Sequence, residues 1–342
     1  MSDARLRGGL RVALAGATGT LGREVLTVLE ERRFPVSELV PFASAHSTGA
    51  DVEFGDNVIP VQTELPSLRS VDLLIVCTPA EAAMELVRQA LRAEVPCIDC
   101  SGALAGSEEV PLLVAELSAP GAALGAPAVA SPAGPALAWA LVLSALDRAA
   151  QLHRVVGTVL RSAAMAGGAG IEALSRETIA LLSQREPPEP QVFPGQVAFD
   201  CVPTVGEQAG VGGGLGGETP PEAALARDLQ RLLGRPVPMA ATVVQVPTFV
   251  GDGSALAVEM VRSLELGELA GVFEKAPGVE LWTRDRVGPT TRDTSGRDVA
   301  LVSRLRRDPS VENGLLLWVA ADPVRLSAAN AVKLAEARLR LH

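Results

Sequence analysis

The stretch that decides the fold runs from Leu10 to Gly22, LRVALAGATGTLG. Val12 to Ala15 is a short apolar run of the kind found in parallel strands buried on both faces. Gly16-Ala17-Thr18-Gly19-Thr20-Leu21-Gly22 follows it directly. Val25, Leu26 and Leu29 then fall at helical spacing between Arg23 and Arg32, so the order is strand, glycine turn, helix. In that context each glycine has a mechanical task. The first permits the tight turn, the second lets the backbone approach a pyrophosphate, and the third lets helix and strand pack closely. The helix N-terminus faces the phosphates with free N–H groups and the positive end of its dipole. The spacing, G-x-x-G-x-x-G, is a variant of the G-x-G-x-x-G dinucleotide fingerprint. A tight turn that binds nothing is the competing reading.

Working outward, 342 residues suffice for two domains that each bury a core. With 48% hydrophobic and 20% charged residues the chain is globular rather than disordered. Its net charge of -10, without a Lys/Arg-rich block, argues against nucleic acid or anionic membrane as a partner. The apolar run at Leu10 is too short for a signal peptide and leads into the glycine turn. The uncharged stretch between Glu116 and Asp147 is broken by Pro120, Pro127, Pro132 and Pro135, which rules out a continuous spanning helix. Four cysteines, Cys77, Cys97, Cys100 and Cys201, are too few for a disulfide framework, and a reducing cytoplasm is expected. Cys97 and Cys100 form a C-x-x-C, but on an expected strand they lie about 10 Å apart on opposite faces, beyond disulfide reach. No second pair completes a metal site, and none is expected.

Glu38 to Ala43 reads as the second strand, whose end meets the adenosine ribose in a dinucleotide-binding fold. Ser44, His46 and Ser47 stand there with no carboxylate before Asp51, which favours NADP over NAD. Further strands are expected at Asp72 to Cys77 and Val95 to Asp99, with short apolar segments at Val110 to Val114 and Val129 to Ala130. A helix is expected over Ala82 to Leu91. The alternation describes a doubly wound parallel sheet, Rossmann-like, over residues 1–130. Beyond a hydrophobic helix at Ala136 to Leu146 the pattern changes. His153 to Leu160, Gln196 to Val202, Thr242 to Phe249, Ala255 to Leu264, Asp298 to Arg304 and Gly314 to Val319 read as strands of a mixed or antiparallel sheet. This is an α+β substrate or dimerisation domain, 131–322. Gly210 to Gly217 punctuates it as a surface loop or, alternatively, a mobile flap. A C-terminal helix, 323–342, is expected to pack back on the dinucleotide-binding domain.

Several further segments stand in a definite order: Gly16 to Gly22, Ile98-Asp99 with Ser101-Gly102-Ala103, Val110-Pro111-Leu112, Ala128 to Ala136, Gly168-Ala169-Gly170, Ala198-Phe199, Val246-Pro247, Pro289-Thr290, and a tail containing Trp318, Asp322 and Asn330. Taken together they make the chain resemble aspartate-semialdehyde dehydrogenases, in particular their catalytically degenerate Usg-like branch. The resemblance implies an NADP-dependent enzyme of amino-acid biosynthesis. In such enzymes a cysteine forms a thiohemiacetal, hydride passes to NADP, and phosphate attacks the thioester. It places that nucleophile on Gly134, the histidine base on Asp252, and the active-site glutamine on Ala164. The substrate-carboxylate arginine falls on Gln245 and the phosphate arginine on Ala105. Neither replacement can make a bidentate charged contact. Thr18, Gly19, Thr20 and Leu21 remain a phosphate turn, Gly167-Gly168 stands for Ser-Gly, and His46 for the adenosine arginine.

Cys100, Cys201 and Ser131 are poor replacement nucleophiles, because none lies on a turn that sets it beside a base. The expectation is therefore a homologue without the covalent chemistry, a non-catalytic NADP-binding, regulatory or assembly protein and, by analogy, a homodimer. The alternative is an NADP-dependent oxidoreductase that passes hydride directly to a carbonyl, with Asp252 or Glu222 moving the proton.

Overall fold

A computed structural model describes residues 9–64, 67–118, 124–203, 205, 218–283 and 287–339. The expected loop or flap at Gly210 to Gly217 lies outside the described residues. The chain forms two compact units, Met1–Ala133 with Ser327–His342, and Gly134–Leu326.

In the first unit, β1 (Leu10–Ala15) leads through α1 (Thr20–Glu31) to β2 (Val36–Phe42). A hairpin of β3 (Asp51–Phe54) and β4 (Asn57–Pro60) follows. Next come β5 (Leu73–Val76), α2 (Ala80–Arg92), β6 (Cys97–Asp99) and β7 (Ala128–Ala130). The five-stranded sheet has the order β2-β1-β5-β6-β7, and every pairing is parallel. β1 is the pivot. From it the chain travels to β2 on one side, then returns to β5 and moves away to β6 on the other. Right-handed crossovers accordingly put α1 and α2 on opposite faces, and a crevice opens at the C-terminal ends of β1 and β5.

The apolar stripe of α1, Val25, Leu26 and Leu29, packs with Leu10, Val12 and Leu14. The same core takes Ala328, Val332 and Ala335 from the last helix. Burial of a side chain such as Leu14 contributes on the order of 1.5–3 kcal/mol.

The second unit begins with α3 (Gly134–Ala150), buried nearly all round, then β8 (Leu152–Arg161), α4 (Gly167–Leu182) and α5 (Pro220–Leu233). β9 (Met239–Gln245), β10 (Asp252–Met260), α6 (Leu266–Lys275), β11 (Val279–Leu281), β12 (Ala300–Asp308) and β13 (Gly314–Ala321) complete it. Its six strands run β11-β12-β13-β10-β8-β9. The β11–β12 and β8–β9 pairs are parallel and the others antiparallel, so the sheet is mixed. Trp139 of α3 packs over Gly157, where any Cβ would come within 2.4 Å of the indole, and its Nε1–H donates to Ser254 Oγ at 2.9 Å. The last helix, α7 (Pro323–Leu339), starts in this unit and continues in the other.

Two sequence expectations are corrected. Gln196 to Val202 is a chain of turns, not a strand, and only Val202 bridges a neighbour, Gln245. Its backbone donors explain why: the buried Glu177 carboxylate accepts the N–H groups of both Val197 and Ala198, and Phe199 adopts a φ of 63°. Val110 to Val114 likewise supplies only an isolated bridge, Leu112 to Ala130.

Candidate functional site

The glycine turn is built as its residue types demand. Gly16 has a φ of +77°, and a Cβ there would lie 2.5 Å from the Cys77 carbonyl oxygen. A Cβ at Gly22 would lie 2.2 Å from the Gly16 oxygen, so α1 can approach β1 this closely only with hydrogen in that place. No side chain caps the N-terminus of α1 at Gly19, and no acidic residue stands in its first turn. The first N–H groups are therefore free to meet an anion.

A cleft of about 430 Å³ lies over this turn, bordered by Gly16, Thr18, Gly19, Ser44, Cys77 and Thr78. It occupies the switch point of the sheet, where β1 and β5 diverge. Thr78 Oγ1 is buried there without a hydrogen-bond partner among the described residues, a polar atom available to a ligand. Thr18 Oγ1 and Ser47 Oγ are 2.9 Å apart, tying the turn to the segment after β2. These features fit a dinucleotide.

The other cofactor candidates are distributed differently. Thr20 opens α1, Leu21 packs on the core and Gly22 is spent on helix–strand packing. His46 is exposed on a short 3-10 turn and does not border the cleft. Asn330 is buried with its amide engaged by the chain: Oδ1 accepts from Ala115 N at 2.8 Å, and Nδ2 donates to Leu113 O and to Ser131 Oγ. Ser131 is thereby fixed as a hydrogen-bonding group. Gly167 and Gly168 open α4, Gly167 with a φ of 68° and Gly168 with open space where a side chain would stand. Thr63 and Thr78 border the cleft without having stood out in the sequence; the available signal was a strand end in a doubly wound sheet.

The positions to which the resemblance assigns covalent dehydrogenase chemistry gather at one corner of the second unit, except Ala105. That residue is buried in the first unit, in the turn held by Asp99, whose carboxylate accepts from Ser101 N, Ser101 Oγ and Leu104 N. Gly134 and Asp252 line the same cavity, with Ser254 and Pro323, but it measures about 10 Å³, room for one water. A Cβ at Gly134 would stand 2.6 Å from Pro323 Cβ and 3.2 Å from the thioether of Met165. Asp252 is 5% exposed. Its Oδ1 accepts from Ser162 N at 2.8 Å and Ser162 Oγ at 2.7 Å, and Oδ2 has no partner among the described residues. Burial pushes its carboxyl up to about 6, against the lowering effect of the Ser162 hydrogen bonds and Arg161.

Gln245 donates through Nε2 to the Arg161 carbonyl at 2.9 Å, and Ala164 donates its N–H to Phe249 O. Gln245 is thus joined to the end of β8, and Ala164, just after β8, to the segment after β9. Arg161 and Ser162, the immediate electrostatic neighbours of Asp252, are residues that carry no signal in the sequence. Glu222, the alternative proton carrier, instead caps α5: it accepts from Thr219 N at 2.7 Å and Val243 N at 2.9 Å.

A parallel dinucleotide-type unit followed by a mixed-sheet unit defines a two-domain dehydrogenase architecture. Residues 11–123 match the model of the semialdehyde dehydrogenase NAD-binding domain, and residues 143–326 that of the semialdehyde dehydrogenase dimerisation domain. The chain belongs to the semialdehyde dehydrogenase family. It is 31% identical to an aspartate-semialdehyde dehydrogenase of Rickettsia bellii (strain RML369-C), over 97% of this chain and 98% of that protein. It is 34% identical to a USG-1 protein homolog of Azotobacter vinelandii, over 95% and 96%. The structure of aspartate semialdehyde dehydrogenase II complexed with ASA from Vibrio cholerae superposes with a TM-score of 0.90 at 30% identity, over 97% and 98%.

Proposed function

We propose that this chain is a family member without the covalent dehydrogenase chemistry, a homodimeric, cytoplasmic protein that binds NADP and acts in regulation or assembly. The observation that carries the reading is Gly134. It offers no nucleophile, and Pro323 and Met165 occupy the space that a thiol-bearing Cβ would need. The cleft supports the dinucleotide half of the reading, since it recognises phosphate through backbone N–H groups and a helix end. The lack of a carboxylate at the end of β2 favours NADP.

The outward face of the second sheet supports the dimer. Val156, Ala255, Ala257, Leu316 and Trp318 are apolar and partly exposed at neighbouring positions in the registers of β8, β10 and β13, where a solvated face would be polar. Calorimetric titration with NADP and NAD, alongside an assay with aspartate semialdehyde, NADP and phosphate, tests the proposal. Saturable binding without turnover is expected. Robust turnover that depends on Asp252 would overturn it.

Asp252 favours a second reading, an NADP-dependent oxidoreductase. NADP would supply the hydride acceptor or donor, and a carboxyl titrating at about 6 is matched to moving a proton near neutral pH. Its unpartnered Oδ2 is the atom that would do so. A cavity with room for only one water speaks against a substrate carbonyl reaching it. Oxidation or reduction of the cofactor by a small carbonyl compound or alcohol, lost in Asp252→Asn, would establish this alternative.

A further inference from the structure

The C-x-x-C spacing draws attention to the wrong pair of thiols. Cys97 faces Leu74 across the sheet, and Ile98 begins the alternation toward the opposite face. Cys100 packs on the same core as Ile98, on the face that also takes Ile75 and Cys77. The β5–β6 register sets Val76 against Asp99, and Cys100 N–H donates to Val76 O at 2.9 Å, so the pairing continues one residue further. Cys77 and Cys100 are therefore direct neighbours on adjacent parallel segments. Adjacent strands lie about 4.8 Å apart. That is within the roughly 4.4–6.8 Å Cα separation that a disulfide spans.

We propose that Cys77 and Cys100 form a reversible disulfide at the floor of the cleft, made by exchange with a small disulfide such as glutathione disulfide. Cys77 borders the cleft and is the thiol that a small reagent reaches. Its thiolate attacks one sulfur of glutathione disulfide, forming a mixed disulfide and releasing one glutathione thiolate. That thiolate takes the proton of Cys100, whose sulfur attacks Cys77 and expels the second glutathione. Two protein thiols are oxidised as one external disulfide is reduced to two thiols. The neighbouring Cys77 side chain and burial push the Cys100 thiol well above its ordinary range, so Cys100 enters at the second, intramolecular step. In a reducing compartment such a bond is transient, the usual character of a redox-sensing pair.

The position gives the bond a consequence. The Cys77 carbonyl lies directly against Gly16, so drawing Cys77 toward Cys100 moves the backbone under the glycine turn. Conversely, a dinucleotide over the turn shields Cys77; this second statement rests on the dinucleotide reading above.

The test is peptide mapping of the full chain, reduced, incubated with glutathione disulfide and alkylated. A Cys77–Cys100 cross-link reversed by dithiothreitol is expected. It should be lost in Cys77→Ser, while Cys100→Ser stops at a glutathione adduct on Cys77. Alkylated Cys77 and Cys100 beside a glutathionylated Cys201, the exposed cysteine, would overturn the proposal. In a second arm, NADP at a concentration shown by calorimetry to saturate the chain protects Cys77 but not Cys201. Equal modification of Cys77 with NADP bound refutes the shielding. Absence of NADP binding refutes the dinucleotide reading, and the pair is then judged by the mapping without ligand.

Discussion

The two units leave very different room at their candidate sites. In the first, an open cleft of about 430 Å³ lies over the glycine turn, whereas in the second the corner around Gly134 and Asp252 encloses about 10 Å³. The difference follows from what does the recognising. The cleft depends on backbone N–H groups, a helix dipole and three glycines, so most of its neighbours can change while its geometry persists. The corner is lined by particular side chains, and Pro323 and Met165 stand where a side chain at residue 134 would go.

The largest effect is expected at the hinge of the cleft. Gly22→Ala forces a Cβ to within 2.2 Å of the Gly16 carbonyl oxygen. It should abolish NADP binding in calorimetry and lower urea stability by about 3 kcal/mol, the upper range for overpacking. An unchanged affinity would mean that the turn is not the binding element.

Asp252 comes next, and its sign is set by a folded-state carboxyl raised from 3.8 to about 6. The folded chain holds that proton more tightly than the unfolded chain, so the stability it brings is full below about pH 4 and lost as pH rises through 6. Asp252→Asn retains an acceptor for Ser162 and removes this dependence. At pH 8 it should stabilise relative to the parent by about 2–3 kcal/mol, because each tenfold difference in proton affinity between the folded and unfolded chains is worth roughly 1.4 kcal/mol, with little difference at pH 4. A flat stability difference between the two pH values would show that Asp252 is not desolvated.

Reopening the corner is the third test. Gly134→Cys, alone or with Asp252→His, should give no aspartate-semialdehyde turnover and cost about 1–3 kcal/mol through the clash with Pro323. Turnover would show that only the two groups, and not the space, had been lost. The smallest effect is expected for Glu222→Gln. This weakens the charge-assisted contacts of the α5 capping box and should lower thermal stability by about 1 kcal/mol while leaving NADP affinity intact. A changed affinity would give Glu222 a role beyond the cap.

Much of the first unit was legible because its determinants are local. An apolar run, three glycines at fixed spacing and an amphipathic helix occupy one continuous stretch, and the sheet follows from repeating that unit. Gln196 to Val202 misleads for the opposite reason. Its apolar residues suit a strand, but a carboxylate twenty residues earlier, on α4, takes the N–H groups that a strand would have paired. Asn330 marks a related limit: the hydrogen bonds that hold its side chain run to Leu113, Ala115 and Ser131, some two hundred residues away in sequence, and local reading does not show them.

The sequence by itself determined the two-unit α/β and α+β organisation, the glycine turn and the absence of a thiol at residue 134. Periodicity, glycine spacing and residue identity are properties of the chain read in order. Only the tertiary structure decided that residue 134 has no room for a side chain, that Asp252 is buried beside Ser162, and that Cys100 is the neighbour of Cys77 and not of Cys97. Each of these is a distance between segments far apart in sequence. Packing and strand register fix such distances, and neither can be read from local composition.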